Sequence, residues 1–264
     1  MKSPGNWVVL CGTLTLLLAS CFDPPQYSPV PSIEFESISF KDVVNPSEPD
    51  SLILTIRFKD GDGDMGLDAN DPTDTLYPYQ SRTFYDTIKS SNAGYYFPFD
   101  DSLSAVKFIT YKTWRTQRYG WKQKKLAYDT LPEFKNPYNC VNWQILTIGS
   151  KVDTFYFELN RDHHNIFVEF LVKNNDGSFT EFNWTEEFAY PQCGITFDGR
   201  FPILSKDLSR KSALDGKIRY GMPSTGFLIL FSIKTLKLRI TIQDRTLNRS
   251  NTIETPEFTL QLIK

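Results

Sequence analysis

Residues 52–71 read LILTIRFKDGDGDMGLDAND. The first half decides the fold. Leu52, Leu54, Ile56 and Phe58 alternate with Ile53, Thr55, Arg57 and Lys59. An apolar period of two is the mark of a half-buried strand, because successive side chains of a strand point to opposite faces. The second half is acidic, with aspartates at 60, 62, 64, 68 and 71. A strand therefore runs straight into a dense cluster of carboxylates.

The same period recurs outward from this stretch. Ile33 and Phe35, then Ile38 and Phe40, predict an earlier strand whose phase slips by one residue, as a β-bulge requires. Val106 and Phe108 flank Lys107, and Phe155, Phe157 and Leu159 alternate before RDHHN. Ile166, Val168, Phe170 and Val172 form a further stripe, followed by NNDG at 174–177 and a return through Phe179 and Phe182, which predicts a hairpin. Leu236, Leu238, Ile240 and Ile242 alternate near the C-terminus, and Phe258, Leu260 and Leu262 predict a last strand. Only Asp207 to Leu214 has a helical look. Aromatic residues make up 15 % of the chain, which favours strands and supplies a core. The expected architecture is all-β: an antiparallel immunoglobulin-like β-sandwich. Residues 33–71 and 226–264 supply its strands. Residues 72–225 are too many for a loop and form a large β-rich insertion or a second β domain.

The N-terminus reads as a targeting segment. Lys2 precedes the apolar run WVVLCGTLTLLL, residues 7–18, which is short for a bilayer span and fits a secretory signal. Leu18-Ala19-Ser20-Cys21 matches a bacterial lipobox, so residues 1–20 are a lipoprotein signal peptide and Cys21 is the lipidation site. Its loss removes Lys2 and no acid, taking the net charge from −2 to −3. Neither value argues for nucleic acid as a partner. Residues 21–32 carry four prolines and read as an extended, lipid-anchored tether. Two cysteines remain, Cys140 and Cys193. An even pair in an oxidising compartment suggests a disulfide; two unpaired cysteines are the other reading. Closing a loop of about 50 residues contributes roughly 4 kcal/mol on the loop-entropy model.

The acidic loop suits a hard cation. Calcium takes six to eight oxygens at about 2.3–2.6 Å, and carboxylates at loop positions 1, 3 and 5 can curl around one ion. Asp60, Asp62 and Asp64 hold those places, the Gly66 carbonyl falls at position 7, Asp68 at 9 and Asp71 at 12. The order approaches that of an EF-hand loop, with two departures. Met65 stands where an EF-hand has glycine, and a strand precedes the loop where an EF-hand has a helix. The plain alternative is a solvated acidic turn, since Asp and Gly are common turn residues. Asp244, at the end of the strand 236–242, would reach the ion if the two loops share one end of a sandwich. Alternatively Arg245 pairs with Asp71 or Asp68, or the segment is a solvated turn.

FKDGDGDMGLD after a strand, the lipobox, and the closing IQDRTLNRSNTIETPEFTL together resemble surface or periplasmic lipoproteins of the Bacteroidota. The closing segment is also similar to the D-x-(A)-x-N-x-S ending of bacterial Ig-like domains, with Asp244, Asn248 and Ser250 in the matching places. The resemblance covers both ends of the chain and only weakly the middle. It implies a calcium-stabilised β-sandwich on the outer membrane and carries over no known catalytic site.

Other features point less sharply. His163 and His164 are adjacent and follow Asp162, which suits a turn or strand edge better than a shared zinc ion. KTWRTQRYGWKQKK, residues 112–125, interleaves basic and aromatic residues. It reads as a hairpin, or in an exported protein as a contact for lipid headgroups, acidic glycans or protein. Tyr95, Tyr96, Phe97, Phe99, Trp143 and Trp184 suit core packing, with a sugar-stacking platform as the alternative. The expected function is non-enzymatic: a calcium-stabilised binding or assembly component of the cell envelope, with a protein complex or a glycan as partner. The alternative is a glycan-binding or glycan-hydrolysing surface lipoprotein. Which face of the outer membrane it occupies stays open.

Overall fold

The computed structural model describes residues 25–43, 48–84, 142–148, 151–184, 196–224 and 226–264. Strand β1 (Ser32–Lys41) pairs antiparallel with β2 (Asp50–Asp60), and the register shifts between Phe35 and Ser37, where the phase slip predicts a bulge. Every second residue of β2, including Leu52, Leu54, Ile56 and Phe58, is buried. The other side of β2 pairs along its full length with β8 (Leu214–Ser224). The first sheet is thus β1-β2-β8.

The second sheet has the order β10-β9-β6-β7. Its centre is β6 (Ile166–Lys173) against β9 (Leu236–Ile242), antiparallel throughout. The NNDG turn joins β6 to β7 (Phe179–Glu181), and Gly177 takes the positive φ of 86° that the hairpin needs. The short β10 (Ile253–Glu254) flanks β9. Side chains of these two sheets share one core, with Leu52, Leu54 and Ile56 from the first and Ile166, Phe170, Leu238 and Ile240 from the second. A third sheet, β3-β5-β4, combines Arg82–Phe84, Lys151–Leu159 and Trp143–Ile148.

The described strands are antiparallel and the fold is mostly β. Several expected elements are placed differently. Strand β6, from the middle expected as an insertion or a second β domain, pairs with β9, and β8, which no apolar stripe announces, pairs with β2; both enclose the same core. Residues 207–213 form no helix, because Asp207 Oδ1 accepts from Ser209 N (2.9 Å) and Ser209 Oγ (2.6 Å), and Ser212 N donates to Asp62 O. The side chain competes with the i→i+4 ladder and the backbone is used elsewhere. The helix lies later, at α1 (Phe227–Phe231), where Phe227 and Phe231 stack on Phe170 with centroids 5.9 and 5.7 Å apart. The predicted last strand reduces to a bridge between Phe258 and Leu236; Leu260 is buried, but the chain then turns and leaves Leu262 exposed. In β5, Phe155, Tyr156 and Phe157 are all buried and Leu159 is exposed, so the expected single stripe covers both faces. No helix among the described residues is long and apolar enough to cross a membrane.

Candidate metal centre

β2 ends at Asp60, and the loop that follows is held on all sides. Gly63 and Gly66 adopt φ of 77° and 103°, a region that an L side chain rarely enters. A Cβ on Gly63 would lie 2.3 Å from Ser212 O, and one on Gly66 would lie 2.1 Å from Pro202 O. Backbone bonds stitch the same neighbours together, with Leu67 N donating to Phe201 O and Leu204 N to Met65 O. Met65, the residue at the EF-hand glycine position, is fully buried in the shared core. It pins the loop from below.

From the other sheet, β9 delivers the turn 244–248. Arg245 N donates to Asp64 O (3.1 Å) and Thr246 N to Asp64 Oδ2 (3.2 Å). The turn is closed by its own aspartate: Asp244 Oδ1 accepts from Asn248 N (2.8 Å) and Thr246 Oγ1 (3.1 Å), and Oδ2 from Asn248 Nδ2 (2.9 Å). Ser250 Oγ accepts from Ile242 N, so the three polar residues of the closing segment all serve this corner.

The result is a convergence of acids. Carboxylate oxygens of Asp60, Asp64 and Asp244 lie within 4.8 Å of one another. Asp60 is fully buried, and its Oδ2 accepts from Gly63 N at 2.7 Å. The Oδ1 atoms of Asp60, Asp62 and Asp64 are buried and accept no hydrogen bond. Buried acceptors are normally satisfied, and a charged one without a partner is costly. Burial pushes the Asp60 carboxyl up to about 6, against the Gly63 N–H, with Asp62 and Asp244 repelling it further. Burial, then the charges of Asp244 and Asp62, push Asp64 up to about 6 as well. Among the described residues the ion pair made by these aspartates is with Lys211, whose Nζ lies 3.3 Å from Asp62 Oδ2. Its side chain is 83 % exposed, so it screens little. Asp60, Asp64 and Asp244 form an acidic triad that could hold a hard cation, all oxygen and oriented by the bonds on their other oxygens, while Asp62 contributes a buried, unpartnered oxygen beside it but is not one of the three that converge.

The rest of the predicted ligand set is occupied otherwise. The Gly66 carbonyl accepts from Arg245 Nη1 at 3.2 Å, so a cation already sits on it. Asp68 Oδ1 accepts from Asn70 N (2.8 Å) and Asn70 Nδ2 (3.2 Å). Asp71 caps the 3-10 turn Pro72–Thr75 through Thr73 N and Thr73 Oγ1, both at 2.8 Å. The chain therefore leaves the cluster after Asp64 and does not encircle it as an EF-hand loop would. Arg245 pairs with neither Asp68 nor Asp71. It forms a bidentate pair with the fully buried Asp74, at 2.8 and 2.5 Å, and Asp74 Oδ2 also accepts from Asp68 N at 2.7 Å. Nothing in the local pattern PTDT marks Asp74 for this role, since its partner is 171 residues away.

The two histidines belong to a separate structure. His163 ends the 3-10 turn Arg161–His163, and its Nδ1 lies 2.9 Å from Tyr79 O and 2.6 Å from the Arg200 guanidinium. Burial, the ring of His163 and the charge of Arg200 hold His164 down to about 4. The Arg200 guanidinium beside His163 Nδ1 puts a positive charge where a metal ion on that nitrogen would sit. Trp143 is buried against Tyr156, and Trp184 packs among Phe170, Phe182, Phe197 and Phe231, so both tryptophans serve packing. Cys21, Cys140, Cys193, Tyr95, Tyr96, Phe97, Phe99 and the basic stretch 112–125 lie outside the described residues. Comparisons with protein-family models, with curated proteins and with solved structures found no match, so the geometry of the site carries the argument about function.

Proposed function

We propose that the chain is a lipid-anchored, calcium-stabilised immunoglobulin-like β-sandwich of the bacterial outer membrane. It acts there as a non-enzymatic binding or assembly component of the cell envelope, and its partner is an envelope protein complex or a glycan. The observation that carries this reading is the convergence of Asp60, Asp64 and Asp244, with the buried Oδ1 atoms of Asp60 and Asp64 unpartnered. The site joins the end of a strand in one sheet to the end of a strand in the other, so a bound ion would cross-link the two sheets. Two antiparallel sheets around one core support the sandwich. The apolar run ending in Leu18-Ala19-Ser20-Cys21 supports the anchor.

Calcium is favoured over magnesium because the donors are several carboxylates on irregular loops. Magnesium prefers a near-ideal octahedron with several waters retained. The cluster is poorly suited to hydrolysing glycans. Hydrolytic carboxylate pairs flank a sugar at about 5–5.5 Å or about 6.5–9.5 Å. Here the oxygens converge within 4.8 Å and Asp60 has no exposed surface.

Titrating the detergent-solubilised full chain with calcium in a calorimeter, after chelator treatment, tests the site. Binding that raises the melting temperature supports the reading, and a melting temperature indifferent to both calcium and chelator refutes it. Affinity purification from membranes with calcium retained tests the role. Co-purified envelope proteins support assembly, and retention on glycan without a released product points to glycan binding.

A further inference from the structure

The segment leading from the N-terminus into β1 reads as a free tether, yet its described part lies on the acidic loop. Gly61 stands between Asp60 and Asp62, and its φ is not positive, so no backbone conformation demands a glycine there. Space demands it. A Cβ on Gly61 would lie 2.3 Å from Tyr27 O and 2.7 Å from Ser28 O. The backbone of residues 27–28 therefore rests directly on the loop at the point between two candidate ligands. Tyr27 secures the contact: its hydroxyl donates to Asp215 Oδ2 at 2.9 Å, and Lys59 Nζ sits 5.6 Å from its ring centroid. Val30 N donates to Ser28 Oγ at 3.0 Å, which turns the chain toward β1. Asn251, from the turn region after β9, then grips Ile33 at both its N–H (2.8 Å) and its carbonyl (2.9 Å).

We infer that residues 26–31 form a clasp that the cation closes: the loaded loop presents Gly61 as a platform for Tyr27 and Ser28, and the unloaded loop releases them. The inference rests on the cation reading above. The physical link is short. Asp60 and Asp62 are the two neighbours of Gly61; each has a buried Oδ1 without a hydrogen-bond partner, and Asp60 is one of the three acids whose oxygens converge. A divalent ion draws these carboxylates together and fixes the backbone between them. Without it their mutual repulsion loosens the peptide planes on both sides of Gly61. Loading would hold the β-sheets in a defined attitude at the base of the N-terminal segment, and unloading would let them swing on it.

Hydrogen–deuterium exchange of the full chain in detergent, read at the hydrogen-bonded amides of Val30 and Ile33 with excess calcium or with chelator, tests the clasp. Calcium is expected to slow exchange there by at least about tenfold. Tyr27→Ala should abolish that protection and, because the coupling is reciprocal, weaken calcium binding, titrated in parallel, by about the same tenfold without abolishing it. Calcium binding with no change in exchange at these amides would overturn the clasp and leave the metal site standing. Equal protection in wild type and Tyr27→Ala would also overturn it. Failure of calcium to bind would remove the metal site itself, and the clasp with it.

Discussion

Replacing Asp60 by asparagine should reverse the sign of its effect when calcium is added. Asp60 has no exposed surface, and burial raises its carboxyl from an ordinary 3.8 to about 6. A group whose folded pKa is raised binds its proton more tightly in the native state. The contribution of this group to stability is then fully present below about pH 4 and is lost as pH rises through about 6. A difference of about two pKa units corresponds to roughly 3 kcal/mol of native-state destabilisation at neutral pH. Asparagine carries no charge and can still accept from Gly63 N through its amide oxygen, while its NH₂ can donate to an orphan oxygen of Asp62 or Asp64. In chelator at pH 7, Asp60→Asn should therefore melt higher than wild type by up to roughly 6–12 °C, at about 2–4 °C per kcal/mol for a chain of this size. At pH 4 the two should nearly coincide. In excess calcium the order should invert, because wild type gains about 4 kcal/mol when the ion is present at a thousand times its dissociation constant, and the variant loses a ligand. Thermal melts followed by circular dichroism over this two-by-two set are sufficient. If Asp60→Asn were destabilising by the same amount in chelator and in calcium, Asp60 would be a structural hydrogen-bonding group and the charge argument would be wrong.

Truncating Asp74 to alanine leaves Arg245 without its bidentate partner and Asp68 N without an acceptor, and should cost about 3–5 kcal/mol in a urea titration. Gly66→Ala places a side chain at φ 103°, with Pro202 O 2.1 Å from its Cβ, and should cost more than about 1 kcal/mol and weaken calcium binding in the same calorimetric titration. Phe170→Ala removes the ring on which Phe227 and Phe231 stack, and should cost about 3–5 kcal/mol of unfolding free energy in the same urea titration.

Where local pattern and burial agree, the sequence is a sufficient guide. The alternation of Leu52, Leu54, Ile56 and Phe58, the slip between Phe35 and Ser37, and Gly177 in its hairpin all recur in the structure, because a strand's faces and a turn's φ are set within a few residues. Strand β8 escapes such a reading. Only Ile218 and Met222 of its eleven residues are buried, so its place is set by pairing with β2 and not by its own apolar stripe. The segment 207–213 is similar: its short-range periodicity is helical, but Asp207 binds Ser209 and Ser212 reaches across to Asp62.

The acidic loop divides along the same line. Its charge density, its glycines and the candidacy of Asp244 follow from residue order alone. Which carboxylates meet is a tertiary decision. Asp68 and Asp71 find donors two residues away, at Asn70 and Thr73, and a nearby N–H satisfies a carboxylate at little entropic cost. Asp60, Asp62 and Asp64 are left with free oxygens only because Met65 buries the loop and the turn from β9 arrives beside it, 180 residues later in the chain. Burial turns a common acidic turn into a cluster whose carboxylate oxygens lack partners, and burial is a property of the packed sheets.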